Sequence, residues 1–273
     1  MLAQTRAMAR EARAVSIPSS HVGISRRTVV ALAGIEVRRI LLHPAFLGAM
    51  GLVALFVRVA VGGSNVRGGG EGPTFHPELL AIGLAIGLAA GGLLSTNLAA
   101  QRARRDHVLE LYGSLPSPPE ARTAGVLMGA LIGPVLISVV VSVIGALLLR
   151  SDENVGAYVD LALAVQFPLM VAALCAIGSG TARWLPGLMT APIVLVAHFM
   201  TPIIWAAPWI LPTESHGRMG WHFAYVVSVI VLWSALSFLR DRRTLVRGLI
   251  VGAALTVAWL GVFLQYPPGG LSL

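Results

Sequence analysis

The ionisable residues that fall inside the apolar runs of this chain are few, and each stands alone. His198 is central in a run reading Ala197-His198-Phe199-Met200-Thr201-Pro202. An imidazole there can meet a substrate, pass a proton, or simply be satisfied inside a packed helix. Pro202, which removes a backbone hydrogen bond, marks with His198 a candidate translocation path. Arg58 lies near the outer end of its run and can extend its side chain to the interface. Asp160 begins another run and is expected at the surface. His43 precedes Pro44 at a break and is expected to face headgroups. No two carboxylates share an apolar run, which argues against proton- or sodium-coupled transport. Neither His-Glu-x-x-His nor Gly-x-Ser-x-Gly occurs, so zinc and serine-hydrolase chemistry lack their motifs. His21, His76, His107, His216 and His222 are scattered through loops or at run edges without metal-ligand spacing. Gly178-Ser179-Gly180 reads as a close-packing patch.

The elements that carry these residues follow from composition. Of 273 residues, 56% are hydrophobic and 12% charged, with a mean hydropathy of +0.80. Soluble domains carry about 25% charged residues, so an ordinary cytosolic enzyme is excluded. The apolar excess excludes disorder, and a lone Cys175 excludes a disulfide scaffold. Seven apolar stretches run over 44–62, 79–100, 124–149, 159–181, 187–209, 221–239 and 248–264. Each is close to the roughly 20 residues a membrane-spanning helix needs, the last being the shortest. The runs are continuous rather than alternating, which argues against a β-barrel. The expectation is an all-α, polytopic membrane protein of six to seven spans.

All twenty basic residues are arginine. The net charge of +8 could attract nucleic acid, but the arginines sit in blocks beside apolar runs, so no nucleic-acid partner is expected. Sixteen fall in alternate segments: 1–40, 101–123, the turn holding Arg183, and 240–247. The opposite loops hold only Arg67, Arg150 and Arg218, and Arg58 lies within the first run. This bias places the N-terminus and loop 101–123 in the cytoplasm of a multi-pass protein of the cell membrane. Seven spans leave the tail 265–273 outside; six return it to the cytoplasm. Residues 1–27 lack the long apolar core of a signal peptide, and residues 1–25 are expected to form a flexible basic tail. Pro134, Pro168, Pro192, Pro202 and Pro208 interrupt the runs. The stretch 187–209 holds three of them with His198, Trp205 and Trp209, and either lines a path or folds partly back outside. Trp205, Trp209 and Trp221 also suit an outer aromatic belt.

Two cytoplasmic segments stand out. In 26–42, Val30, Ala33, Val37, Ile40 and Leu41 share one helical face, with Arg27, Arg38 and Arg39 opposite. Such a helix lies in the interface, and the proline after His43 predicts a bend before the first span. The alternative is an early start of that span with a basic anchor. In 101–123, Val108, Leu111 and Tyr112 form a small apolar face among Arg104, Arg105 and Glu110. Gly113 and Pro116 end it, and Ser117-Pro118-Pro119-Glu120 looks like a new helix start. A short helix of this kind suits docking to a soluble partner; a plain topological loop explains the same residues.

Two motifs in this order resemble the membrane subunit of an ABC-2 type exporter. Glu36-Val37-Arg38-Arg39-Ile40-Leu41-Leu42-His43-Pro44 is similar to that family's E-x-R-R-x-L-x-x-P elbow. Arg104-Arg105-Asp106-His107-Val108-Leu109-Glu110-Leu111-Tyr112-Gly113-Ser114-Leu115-Pro116 is similar to its R-x-x-x-x-x-E-x-L-x-x-x-P pattern, with Tyr112 where leucine is usual. The resemblance covers roughly 26–239, and the seventh stretch departs from a basic unit of six spans. It implies a permease domain over 26–264, with an elbow at 26–43 carried by Glu36, Arg38, Arg39 and Pro44. It also implies a coupling element within 101–123, built from Arg104, Arg105, Val108, Glu110, Leu111, Tyr112, Leu115 and Pro116. The implied partners are a separate ABC ATPase subunit, a second permease copy or homologue, and membrane lipid. The implied substrate is amphipathic or lipid-like. The chain has no G-x-x-x-x-G-K-[ST] loop, so it is not expected to be an enzyme; ATP with Mg would bind the partner, and no cofactor this chain. The alternative is a non-transporting scaffold whose loop 101–123 recruits a cytosolic protein. An intramembrane enzyme is the weakest reading.

Overall fold

A computed structural model of the protein describes residues 25–62, 77–107, 117–150, 161–205 and 218–265. Among them are eight helices and no strand. They are α1 (Arg26–Leu41), α2 (Pro44–Gly62), α3 (Pro77–Arg105), α4 (Pro119–Arg150), α5 (Leu161–Trp184), α6 (Thr190–Trp205), α7 (Met219–Asp241) and α8 (Leu245–Leu264). Every apolar stretch in the sequence is the body of one helix, α2 to α8 in order. The expected tail at 1–25 and the end at 265–273 lie, but for Ser25 and Gln265, outside the described residues.

Burial identifies the centre. Within Val165–Trp184 of α5, 78% of the helix is enclosed by the rest of the chain, against 17% for Leu245–Leu264 of α8. Helix α5 packs on α3, α4 and α7; α2 lies on α3, α1 on α4, α8 on α7, and α6 touches α3 and α5. The core joins Phe46 of α2, Leu93 of α3, and Val171, Leu174 and Cys175 of α5. In lipid there is no hydrophobic drive to bring helices together, so close approach of small residues does this work. Gly91 of α3 leaves no room for a side chain against Ala49 of α2, and a Cβ on Gly92 would lie 2.8 Å from the Cys175 sulfur. Gly178 faces α3 and Gly180 faces Trp233 of α7, as the small-residue patch predicts.

Among the described residues, four stretches are long and apolar enough to cross a membrane: Pro119–Ile144, Val165–Trp184, Met219–Asp241 and Leu245–Leu264. A fifth arises if α1 and Pro44–Leu55 are one broken span, bent by 54°. The bend falls at His43-Pro44. There the His43 carbonyl accepts from Phe46 N and Leu47 N, and its Nδ1 accepts from Ala45 N at 3.2 Å. The ring thus caps α2.

Three details differ from the sequence expectations. Helix α4 begins at Pro119, so the helix start at 117–120 and the third apolar stretch are one helix. Its 32 residues span about 48 Å, more than the roughly 30 Å of hydrocarbon, so polar Glu120 to Thr123 extend it past the apolar run. Helix α6 starts at Thr190, three residues inside the stretch 187–209, and its described part runs to Trp205. In α1 the buried face holds Val29, Ala33 and Ile40, whereas Val30 is 54% exposed. The reason is its neighbour. Gly125, Gly129 and Gly133 of α4 form a track against Leu32, Glu36 and Val37, which sets the face of α1 by helix contact rather than by lipid.

Candidate functional site: a polar clamp at the roots of loop 101–123

The connections 101–107, 117–123, 183–190 and 237–247 meet at one end of the bundle, the end rich in arginine. This juxtaposition is shown by bonds between them. At the first root, α3 enters the loop. Gln101 donates to the Asn97 Oδ1 at 2.7 Å and to the carbonyl of Gly187 at 3.2 Å. Asn97 Nδ2 donates to the Gly178 carbonyl at 3.0 Å and to Thr181 Oγ1 at 3.2 Å. Thr96 reaches the Cys175 carbonyl at 3.2 Å. Asn97 and Thr96 are fully buried, and their partners repay the desolvation that an unbonded amide would cost. Close packing makes these bonds possible, since Gly178 brings the α5 backbone against α3.

At the second root, α4 leaves the loop. The Thr123 hydroxyl donates to one Asp241 oxygen. Arg183 Nη1 donates to the other at 2.6 Å and lies 3.5 Å from the Ser237 carbonyl. The side chains of Arg183 and Asp241 are 21% and 11% exposed, so water screens this pair less than a surface pair. Trp184 Nε1 donates to the Leu236 carbonyl at 3.0 Å. Beside them, Arg247 lies 3.7 Å from Glu120 and donates to the carbonyls of Phe238 and Arg242 at 2.7 and 3.0 Å. Those carbonyls end α7, where cationic donors are favoured. Thr244 caps α8 by accepting from Arg247 N at 3.3 Å. The result is a clamp joining the starts of α4 and α8 to the ends of α5 and α7, with two acids matched by two arginines.

The proposed site residues fall into three groups. Arg104 and Arg105 end α3 and are exposed. Val108, Glu110, Leu111, Tyr112, Leu115 and Pro116 lie outside the described residues. In the elbow, Glu36 pairs with Arg39 at 2.9 Å, Arg38 is exposed, and Pro44 opens α2. Burial, then the charges of Arg105 and Arg102, hold the His43 imidazole below its ordinary value. His198 lies within α6, away from the clamp; Pro202 is on the same helix, with its side chain outside the described residues.

Sequence reasoning missed Asn97, Gln101 and Asp241, and the burial of His222. That ring, near the start of α7, is fully buried, with Nδ1 3.0 Å from Gln265 Oε1 and Nε2 2.9 Å from Gln166 Oε1. It ties α5, α7 and α8 together at the end opposite the clamp, where Arg218 N also donates to the Gln265 carbonyl. Polar residues within apolar runs were the available signal. Among the described residues, no group of three or more His, Cys, Asp or Glu could hold a metal ion. The clamp itself offers structure rather than covalent chemistry: it ties the ends of four helices together.

Fold and site together define an all-helical membrane protein with several membrane-crossing helices. Comparison with family models, curated proteins and solved structures finds no match.

Proposed function

We propose that the chain is the permease subunit of an ATP-driven exporter of the ABC-2 type, with α2 to α8 as seven spans and α1 as the elbow. The observation that carries this reading is the double rooting of loop 101–123. One root is bonded to the end of α5 and its turn to α6, the other to the ends of α5 and α7. A force applied to the loop from the cytoplasm reaches the central helix by two polar routes. That is what a coupling element requires and what a passive topological loop does not. The N-terminus and loop are cytoplasmic in this reading. In the same reading α8 runs antiparallel to α7 as a seventh span, its end at Gln265 beside Arg218, and the C-terminus is outside. ATP and Mg belong to a separate ATPase subunit, and a second permease copy or homologue completes the path for an amphipathic or lipid-like substrate.

The test is co-purification. The chain, expressed with the ATPase encoded in a neighbouring reading frame, should bring it down. Glu110→Arg should reduce recovery about tenfold or more, because an unpaired interfacial charge costs on the order of 2–5 kcal/mol. Glu71→Arg, in an opposite loop, should change nothing. Equal recovery of the ATPase with both variants contradicts docking through the loop and favours the scaffold reading.

A further inference from the structure

The arginines at the clamp end divide into two sets. Arg183 and Arg247 face acids within the clamp. Arg240, Arg242 and Arg243, at the turn from α7 to α8, are exposed and form no ion pair among the described residues. The nearby acids are already engaged: Asp241 by Arg183 and Thr123, Glu120 by Arg247. Arg240 stacks over the Trp184 ring at 5.5 Å, and Trp184 is itself held by the Leu236 carbonyl. Directly beside this charge lie exposed aliphatics. Leu185, Leu188 and Met189 are 61%, 67% and 68% exposed on one side, and Leu245 and Val246 are 81% and 65% exposed on the other.

We infer that Arg240, Arg242 and Arg243 form a binding site for the phosphate headgroup of an anionic phospholipid, whose acyl chains lie on the flanking aliphatics. Guanidinium groups complement a phosphodiester in the sign of their charge and in donor geometry. A tryptophan anchored at the same level is the expected residue of a membrane interface, and basic pockets between helices on the cytoplasmic side hold such headgroups. The end of α3 fits less well, since Arg102 is paired with Asp106 at 3.3 Å. The inference rests on the membrane reading and on this end facing the anionic leaflet. It needs no ATPase, so its failure leaves the exporter reading untouched.

The experiment uses the full chain in neutral detergent with added phosphatidylglycerol, phosphatidylcholine or inorganic phosphate at matched concentration. Thermal stability and retained lipid in native mass spectra are read. Each arginine near a charged surface contributes about a fivefold preference. Phosphatidylglycerol should therefore raise Tm and remain bound, while the other two do neither. Arg240→Gln/Arg242→Gln/Arg243→Gln should lose the effect, and lysine at the three positions should restore part of it. Arg243→Gln alone, which removes no protein partner among the described residues, should weaken binding about fivefold should the triple variant not fold. A triple glutamine variant that keeps the phosphatidylglycerol shift overturns the proposal. So does an equal shift from phosphatidylcholine, which leaves only an apolar surface, or from inorganic phosphate, which leaves a general anion site.

Discussion

A methyl group added at Gly178 would sit 2.5 Å from the Leu93 carbonyl and 2.6 Å from the Thr96 hydroxyl. Neither can give way, because one is backbone and the other is bonded to α5. Gly178→Ala should cost about 1–3 kcal/mol through forced separation of α3 and α5. Gly248 on α8 is the contrasting case, with nothing within 4 Å of the added atom. There alanine should be neutral or stabilising by up to about 1 kcal/mol, because it restricts the unfolded chain. Thermal melts of the two variants in detergent should move in opposite directions. His43 carries a pH dependence of its own. Its folded value lies below its ordinary one, so the unfolded chain takes up the proton first as pH falls. The stability it contributes is therefore complete above about pH 6.5 and declines below it. His43→Asn keeps an acceptor for Ala45 N but does not titrate. The wild type should lose more stability than this variant between pH 7 and 5, measured by Tm at each pH; parallel losses would remove His43 as a contributor.

At the scale of elements, α1 packs along α4 and barely touches α2. Val37 lies 3.3 Å from where a Cβ on Gly133 would stand. Cysteines at Val37 and Gly133, with Cys175 replaced by alanine, should oxidise to a disulfide. Adding Gly129→Leu should abolish it, since a Cβ there already meets the Glu36 Cβ at 2.7 Å; survival of the cross-link would deny the track its role. Most helices were legible because a spanning helix advertises itself as an apolar run, and α2 starts where its stretch does because Pro44 punctuates it. Where helix and run differ, two separate forces set the ends. Lipid sets where polarity begins, while caps and backbone bonds set where the helix stops. Helix α4 therefore starts at Pro119, ahead of its apolar run. The clamp was half legible. Arginine counts grouped the right loops, but they do not reveal which arginines are internal. Asn97 reads as a tolerated amide until Gly178, Thr181 and Gln101 stand around it. Those α5 partners lie over 80 residues away, beyond any local pattern.

For the whole molecule, the arginine partition makes a geometric claim about the membrane. In a Cys175→Ala background, cysteines at Gly70 and Ser114 should label from opposite sides; labelling from one side would break the span assignment. The central claim is that loop 101–123 drives α5 and α7 through Asp241. Its most direct test is ATP turnover by the permease–ATPase complex in nanodiscs, alongside substrate movement in vesicles. Asp241→Asn weakens both the Arg183 and Thr123 contacts, at about 1.5–3 kcal/mol for each charged hydrogen bond, without touching the docking surface. The account predicts that the variant still co-purifies with the ATPase and hydrolyses ATP, yet transports less per ATP. The exchange Arg183→Asp/Asp241→Arg should recover part of that ratio. Transport per ATP unchanged in Asp241→Asn would contradict the account.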